Sequence, residues 1–259
     1  MGGVSRMNED GGYNSSMAPR FFCPQALATG GLYALPEAAA HHATRVLRLG
    51  TGDSVLLFDG RGGEYGGRIE QAGPGVRVRI LAHDAVEREP PLAIVLAQAL
   101  PAGERMDWLV QKAVELGVAA IVPVESSRCV VRLAGERAER RRRHWEAIAV
   151  GACEQCGRNR IPEVRPVVAL GDFLAQSRNL AGMRLLLDPR SQQGLHALAP
   201  ELPAAVVLLA GPEGGFADEE RAAALAGGFR ALRLGPRVLR AETAGMAATA
   251  ALLARWGDY

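Results

Sequence analysis

Two glycine-rich turns are the parts of this chain best fitted to hold a ligand. The first reads Leu209-Ala210-Gly211-Pro212-Glu213-Gly214, with Gly215-Phe216 following. The second reads Leu234-Gly235-Pro236-Arg237-Val238-Leu239-Arg240-Ala241-Glu242-Thr243-Ala244. Each follows an apolar, strand-like run, at residues 205–209 and 229–234. Glycine offers backbone N–H and C=O groups with no Cβ in the way, so a ligand can approach the main chain closely. Two such turns in one half of a chain predict a cofactor pocket built largely from backbone.

Other reactive groups carry less. Lys112 is the only lysine among the basic residues. Either arginine has replaced lysine elsewhere through codon bias, or position 112 requires a compact ammonium. Lys112 and Glu115 fall on one helix face, as a packed ion pair or a substrate contact. Cys153-x-x-Cys156 has redox spacing, but it lies in a helical pattern with no strand before it. No second pair completes a zinc site. Four cysteines are too few for a disulfide framework in a chain of this size. Glu154 and Arg158 have the spacing of an ordinary i,i+4 helix pair. The dinucleotide fingerprint, the phosphate loop, the G-x-S-x-G elbow and HExxH are all absent. Nicotinamide enzymes, nucleotide hydrolases, serine hydrolases and zinc hydrolases are weakened together.

The elements that must position these groups fall into two regions. The first 18 residues are polar and rich in Gly and Ser, and read as an extension or tag without a signal sequence. Residues 19–88 read as a small β-rich module. Strands are expected at 54–58, 65–70 and 76–81, with a short helix at 36–47. Glu89-Pro90-Pro91 then stops any strand ladder. Beyond it apolar runs alternate with helical patterns. Strands are expected at 92–98, 118–124, 185–187, 206–209 and 232–234. Helices are expected at 106–116, closed by Gly117, at 137–156, from Asp218 onward, and at Ala241–Trp256. Such alternation predicts an α/β domain with a mainly parallel sheet. No apolar run approaches the roughly 20 residues of a membrane span. Net charge is +2, so global charge does not announce a nucleic-acid partner.

Several motifs, in order, resemble one known family. They are Arg20-Phe21-Phe22, His42 with Val46-Leu47-Arg48, Gln111-Lys112-Ala113-Val114-Glu115-Leu116-Gly117-Val118 and Glu154-Gln155-Cys156-Gly157-Arg158, followed by the two glycine turns. Together they resemble the RsmE family of 16S ribosomal RNA uridine N3-methyltransferases, within the SPOUT superfamily. The similarity runs from about residue 19 to the end.

The resemblance implies a PUA-like β-barrel over residues 19–88 that helps bind RNA. It also implies a SPOUT-type α/β methyltransferase domain over 92–259 with a C-terminal trefoil knot, binding S-adenosylmethionine (SAM). It further implies a homodimer acting on 16S rRNA in the 30S subunit; the cytoplasmic setting and the lack of a membrane role are expected from the absence of a membrane-length apolar run and of a signal sequence. Cofactor contacts are then expected from Leu187, Leu209, Gly211, Glu213, Gly214, Gly215, Leu234, Gly235, Arg237, Val238, Leu239, Thr243 and Ala244. Glu213 could instead be a turn carboxylate with a structural task. The sequence departs from the family pattern at Ala102, where lysine is common, at Cys156, where serine is common, and at Ala241, where threonine is common.

The implied reaction sets three tasks. The base must leave any stack, its N3 proton must be removed or shared, and charge developing on its oxygens must be stabilised. Arg240 and Arg158 are the leading donors, although Arg240 could equally clamp the fold. Glu154 or Glu242 could take the proton or orient an arginine. RNA contacts are expected mostly to phosphate and sugar. The candidates are Arg20, His42, Arg45, Arg48, Arg105 and Lys112; the run Arg140–Arg143 is a solvated helix face or a phosphate site. The alternative reading is a non-catalytic RNA-binding or ribosome-assembly factor that retains the fold. No metal is expected.

Overall fold

The computed structural model describes residues 18–73 and 75–259. The expected N-terminal extension lies, but for residue 18, outside them. The described residues divide into two compact units: those up to Glu89 with 153–161, and 90–152 with 162–259.

The first unit is a five-stranded sheet. Its strands are β1 (Arg20–Phe22), β2 (Leu32–Ala34), β3 (Ser54–Phe58), β4 (Glu64–Gln71) and β5 (Arg77–Asp84), in the order β1-β3-β4-β5-β2. β1 runs parallel to β3 and the remaining pairs are antiparallel. The outer strands β1 and β2 do not pair with each other, so the expected barrel is an open sheet around one core. Phe21, Leu57, Ile69, Val78 and Ile80 fill that core, closed by Leu35 and Ala43. The helix expected at 36–47 is a single α turn, α1 (Glu37–His41), which passes into a π turn, His42–Val46. Two residues past that turn stands Arg48, whose φ of 56° is the only positive value among the described non-glycine residues. β1 and β2 escape the sequence pattern because three residues give too short an alternation to register.

The second unit is a parallel sheet. In chain order its elements begin with β6 (Ala93–Ala99), α2 (Arg105–Glu115), β7 (Ala120–Glu125), α3 (Gly135–Cys156), β8 (Glu163–Val164), β9 (Val168–Ala169) and α4 (Leu170–Ser177). They continue with β10 (Met183–Leu187), β11 (Ala205–Ala210), α5 (Asp218–Ala226), β12 (Arg230–Leu232) and α6 (Ala241–Trp256). The sheet order is β12-β10-β11-β6-β7-β8, with β9 also on β7, and every pairing is parallel. The central strands are nearly continuous apolar runs, as a sheet covered on both faces requires. Ile94, Leu96, Val207 and Leu209 are all buried to within a per cent.

Local chemistry sets the joints. α2 ends at Gly117, whose φ is +85°; a Cβ added there would fall 2.8 Å from the Pro90 ring, so only glycine fits. Val118 N–H still bonds Ala113 O, which delays the strand expected from 118 until Ala120. The last strand stops at Leu232 because Arg233 N–H turns to Gln193 O. From that outer strand the chain runs through residues 233–240 to α6, which packs on the more central β6 and β11 and on α2. Among the described residues no helix is long and apolar enough to cross a membrane.

Candidate functional site

A cavity of about 630 Å³ opens at the carboxyl ends of β10, β11 and β12. Parallel sheets place ligand sites there, because the loops leaving neighbouring strands diverge and expose backbone groups. Leu186 and Leu187 from β10 and Leu232 from β12 form its apolar floor. The turn after β11 forms one wall with Gly211, Pro212, Glu213, Gly214, Gly215 and Phe216. Gly215 N–H bonds Pro212 O at 2.9 Å, and Gly215 has a φ of +64°, so this tight reversal favours glycine. The opposite wall is the segment after β12, with Leu234, Arg237, Val238, Leu239 and Arg240. Ala241 and Ala244, in the first turn of α6, complete it.

Two carboxylates organise the polar rim. Asp188, just past β10, is 6% exposed. It accepts from Arg221 Nε at 2.5 Å and from the Arg190 backbone N–H at 2.9 Å. Burial works against its charge, but the Arg221 and Arg190 interactions outweigh that and hold its pKa below the usual aspartate value. Glu213 accepts from Ala102 N–H at 3.0 Å and from the Arg105 guanidinium. Burial again opposes the charge; backbone N–H groups and Arg105 win, and its pKa is lowered. Arg128 donates to Gly214 O at 2.9 Å, bracing the same turn. Arg233, Arg237 and Arg240 also line the cavity, and their side chains make no hydrogen bond or ion pair among the described residues.

Most of the expected cofactor contacts stand on these walls. Leu187, Gly211, Glu213, Gly214, Gly215, Leu234, Arg237, Val238, Leu239 and Ala244 line the cavity, and so does Arg240. Three others do not. Leu209 is wholly buried inside β11, and Gly235 shapes the second turn with a φ of +72°. Thr243 lies in a smaller concavity with Glu242, Trp108 and Arg105. The expected RNA contact Arg105 thus borders both hollows. Lys112 is paired with Glu115 at 2.8 Å.

The other expected residues have partners in the first unit. Arg158, 4% exposed, makes a two-pronged contact with Glu89 at 3.0 and 2.5 Å. Glu154 accepts the Phe22 backbone N–H at 2.9 Å; burial pushes its pKa up, partly offset by that hydrogen bond. Both side chains therefore engage partners far away in the chain. Arg20 binds Glu64, which is 2% exposed, and Asn159 Oδ1 at 2.6 Å. His42 and Arg45 lie on the exposed π turn, just before Arg48, with the His42 ring edge-on to Phe21 at 6.1 Å. Burial pushes the Cys153 thiol up to about 12, leaving it without a thiolate at neutral pH.

Sequence reasoning missed Asp188, Arg128, Arg221 and Gln98. Asp188 was findable: it is the first polar residue after an apolar strand run, where parallel-sheet sites form. Gln98 is wholly buried at the end of β6 and its amide donates to Ala99 O and, at 3.3 Å, to Gly211 O. It ties the first glycine turn to the central strand, a contact across 113 residues that no local pattern carries.

A family model described as an RNA methyltransferase domain matches residues 88–253, and one described as an RNA methyltransferase PUA domain matches residues 35–81. The ribosomal RNA small subunit methyltransferase E of Mycobacterium bovis is 34% identical over 248 residues, covering 93% of this chain and 94% of its own. The protein of that name from Buchnera aphidicola (subspecies Schizaphis graminum) is 33% identical over 242 residues, covering 93% and 97%. Among solved structures, the ribosomal RNA small subunit methyltransferase E of Neisseria gonorrhoeae bound to SAM superposes with a TM-score of 0.86 at 37% identity, over 93% of this chain and 99% of that one. A Legionella pneumophila protein solved with the bound cofactor SAM superposes with a TM-score of 0.89 at 41% identity, again over 93% and 99%.

Proposed function

We propose, since this chain belongs to the ribosomal RNA small subunit methyltransferase E family, that it is a SAM-dependent methyltransferase acting on N3 of a uridine in the 16S rRNA of the small ribosomal subunit. The observation that carries the reading is the cavity itself. Its size suits a small-molecule site. Its walls are two glycine turns and leucines, which offer an adenine ring apolar faces and main-chain hydrogen bonds. Relatives of the same fold were solved with SAM bound. The residues present therefore fit the cofactor.

SAM supplies a methyl carbon on a sulfonium, and the sulfur departs as a neutral thioether. The chain's own residues do the rest. Leu187, Leu234, Val238 and Leu239 form the apolar walls, and the turn at 211–215 presents its backbone. Arg233, Arg237 and Arg240 carry guanidiniums that no carboxylate among the described residues neutralises, which suits RNA phosphates arriving at the cavity mouth. Arg240 stands nearest the role of donor to a uracil oxygen, as a cavity-lining group with an exposed side chain. Glu242 is the candidate acceptor of the N3 proton. Arg158 and Glu154 remain candidates that the resemblance alone supports.

The same reading includes a C-terminal trefoil knot. Its support is the return of residues 233–240 from the outer strand β12 to α6 on the central strands. Residues 19–88 are read as the PUA-like RNA-binding module, with Arg20, His42, Arg45 and Arg48 as contacts, and residues 92–259 as the methyltransferase domain, although residues 153–161 pack with the first unit. The homodimer rests on the family resemblance.

The test is transfer of labelled methyl from SAM to 30S subunits from a strain lacking the modification, read by nucleoside mass spectrometry. N3-methyluridine in the 16S rRNA is the expected product. SAM binding without transfer to 30S would overturn the substrate, and absence of SAM binding would overturn the cofactor assignment.

A further inference from the structure

Behind the first glycine turn lies a buried amide that packing alone does not account for. Among strands β6, β7, β10 and β11, Gln98 is the only polar side chain that is wholly buried. An amide in an apolar sheet costs free energy unless all its polar atoms find partners. This one is only half satisfied: its Oε1 is buried with no hydrogen-bond partner among the described residues. Such an atom in a native protein calls for an explanation.

The surroundings of Gln98 supply one. It stands in register with Ala210, the last residue of β11, so the backbone ladder between β6 and β11 ends there. Its Nε2 donates to Ala99 O at 2.9 Å in its own strand and to Gly211 O at 3.3 Å, one residue past the ladder. The side chain thus carries the hold of the sheet into the first residue of the turn. On its other side the same amide faces α6. A Cβ added at Gly245 would fall 3.4 Å from Gln98 Oε1 and 3.3 Å from Leu96 Cδ1, so α6 lies close on β6 at this point. Gly245 directly follows Ala244, which lines the cavity together with Ala241 at the start of the same helix. One side chain therefore stands behind two walls of the cavity, the turn after β11 and the first turn of α6. Methionine would fill a similar volume but donates nothing, and asparagine is one methylene shorter.

We infer that Gln98 is a positioning residue of the methyl-transfer site: it fixes the turn at 211–215 against the sheet and against the start of α6, and so sets the spacing of the cavity walls. This role rests on the SAM reading above. Gln98 itself does not line the cavity, so it acts through Gly211 and Gly245 and not by touching a ligand. Its bonds are made before any ligand arrives, which places its effect on binding. A turn already held in place costs nothing to order when SAM enters, whereas a loose turn must be ordered at the expense of affinity. Once SAM is bound the two states are the same, so the chemical step is spared.

The experiment uses the whole protein. Gln98→Met removes both donors and keeps the volume. The dissociation constant for SAM, measured by calorimetry, is expected to rise about tenfold, the scale of one lost hydrogen bond with its carbonyl left unpaired. In transfer to unmodified 30S subunits KM for SAM rises with it, while kcat stays within about threefold. Ile94→Val, toward the other end of the same strand, is the stability control: it lowers Tm but leaves the dissociation constant for SAM within about twofold. In the ligand-free protein carrying isotope-labelled glycine, Gln98→Met is expected to shift the amide signals of Gly211 and Gly245 together and to leave that of Gly117 in place. Gly245→Ala presses on Gln98 Oε1 from the α6 side and should also raise the dissociation constant with kcat spared, which keeps the test open should Gln98→Met fail to fold. A lower Tm for Gln98→Met with unchanged SAM affinity would overturn the proposal, because the amide would then serve packing only. So would a loss of kcat at unchanged KM, or glycine signals that stay where they are. If the wild type binds no SAM but the Gly211 and Gly245 signals still move together, the positioning contact stands and the cofactor reading falls.

Discussion

Asp188→Ala should weaken the cavity at a point that pH can identify. The Asp188 carboxylate accepts from Arg221 on α5 and from the Arg190 N–H in the turn after β10, and Asp188 N–H itself bonds Leu232 O on β12. Alanine keeps the backbone bond and removes the other two, together with the longer contact from Arg190 Nε at 3.4 Å. Loss of a charge-assisted bond to a buried carboxylate costs about 2 kcal/mol. The Arg190 N–H, in an exposed residue, regains water and adds up to about 1 kcal/mol. A total of about 2–3 kcal/mol corresponds to a fall in Tm of roughly 5–10 °C for a domain of this size. The sign with pH follows from the lowered pKa. The wild-type contribution is fully present above the usual aspartate value and is lost as pH falls through the lower folded value. The deficit of the variant should therefore be full at pH 7 and shrink on descent toward pH 3. Calorimetry of both proteins across that range is the assay, with SAM titrated at pH 7 to show weaker binding by the variant. An equal deficit at pH 7 and pH 3 would refute the argument, because the ion pair would then not be its source.

Three further outcomes are expected. Glu154→Gln keeps an acceptor for Phe22 N–H but removes a charge that burial disfavours; since the folded pKa is raised, the wild type loses stability as pH rises from the usual glutamate value through the raised one. The variant should thus melt higher than wild type at pH 8, and retained methyl transfer would dismiss Glu154 as a catalytic base. Arg158→Met leaves Glu89 without its two-pronged partner and should lower Tm, a loss on the order of 3 kcal/mol for a broken buried pair, reduced because Glu89 is partly exposed; unchanged Tm with abolished transfer would restore the catalytic reading. Cys153, with its thiol pushed up to about 12, should resist iodoacetamide at pH 8 in the native protein, and the Cys153→Ser, Cys156→Ser protein should still transfer methyl; mass spectrometry showing rapid labelling of Cys153 would contradict the burial argument.

Much of this protein was fixed locally and could be read from its sequence. The alternation of apolar runs and helical periods determined a parallel α/β domain, since strands covered on both faces must be continuously apolar. Alanine-rich composition marked α6 over Ala241–Trp256, and glycine identity marked both turns, because positive φ and close backbone approach are properties of single residues. Short elements were another matter. β1, β2, β8 and β9 carry too few residues for a period, and their existence depends on pairing with strands far away in the chain. Tertiary structure alone decided which polar groups meet. Asp188 and Arg221 stand 33 residues apart, Gln98 and Gly211 stand 113 apart, and Arg20 finds Asn159 across 139. Glu154 and Arg158, near neighbours in sequence, reach out to Phe22 and Glu89. Spacing fixes what a residue can reach along its own helix. Burial decides what it must reach, because a charge taken out of water has to find its partner wherever the fold supplies one.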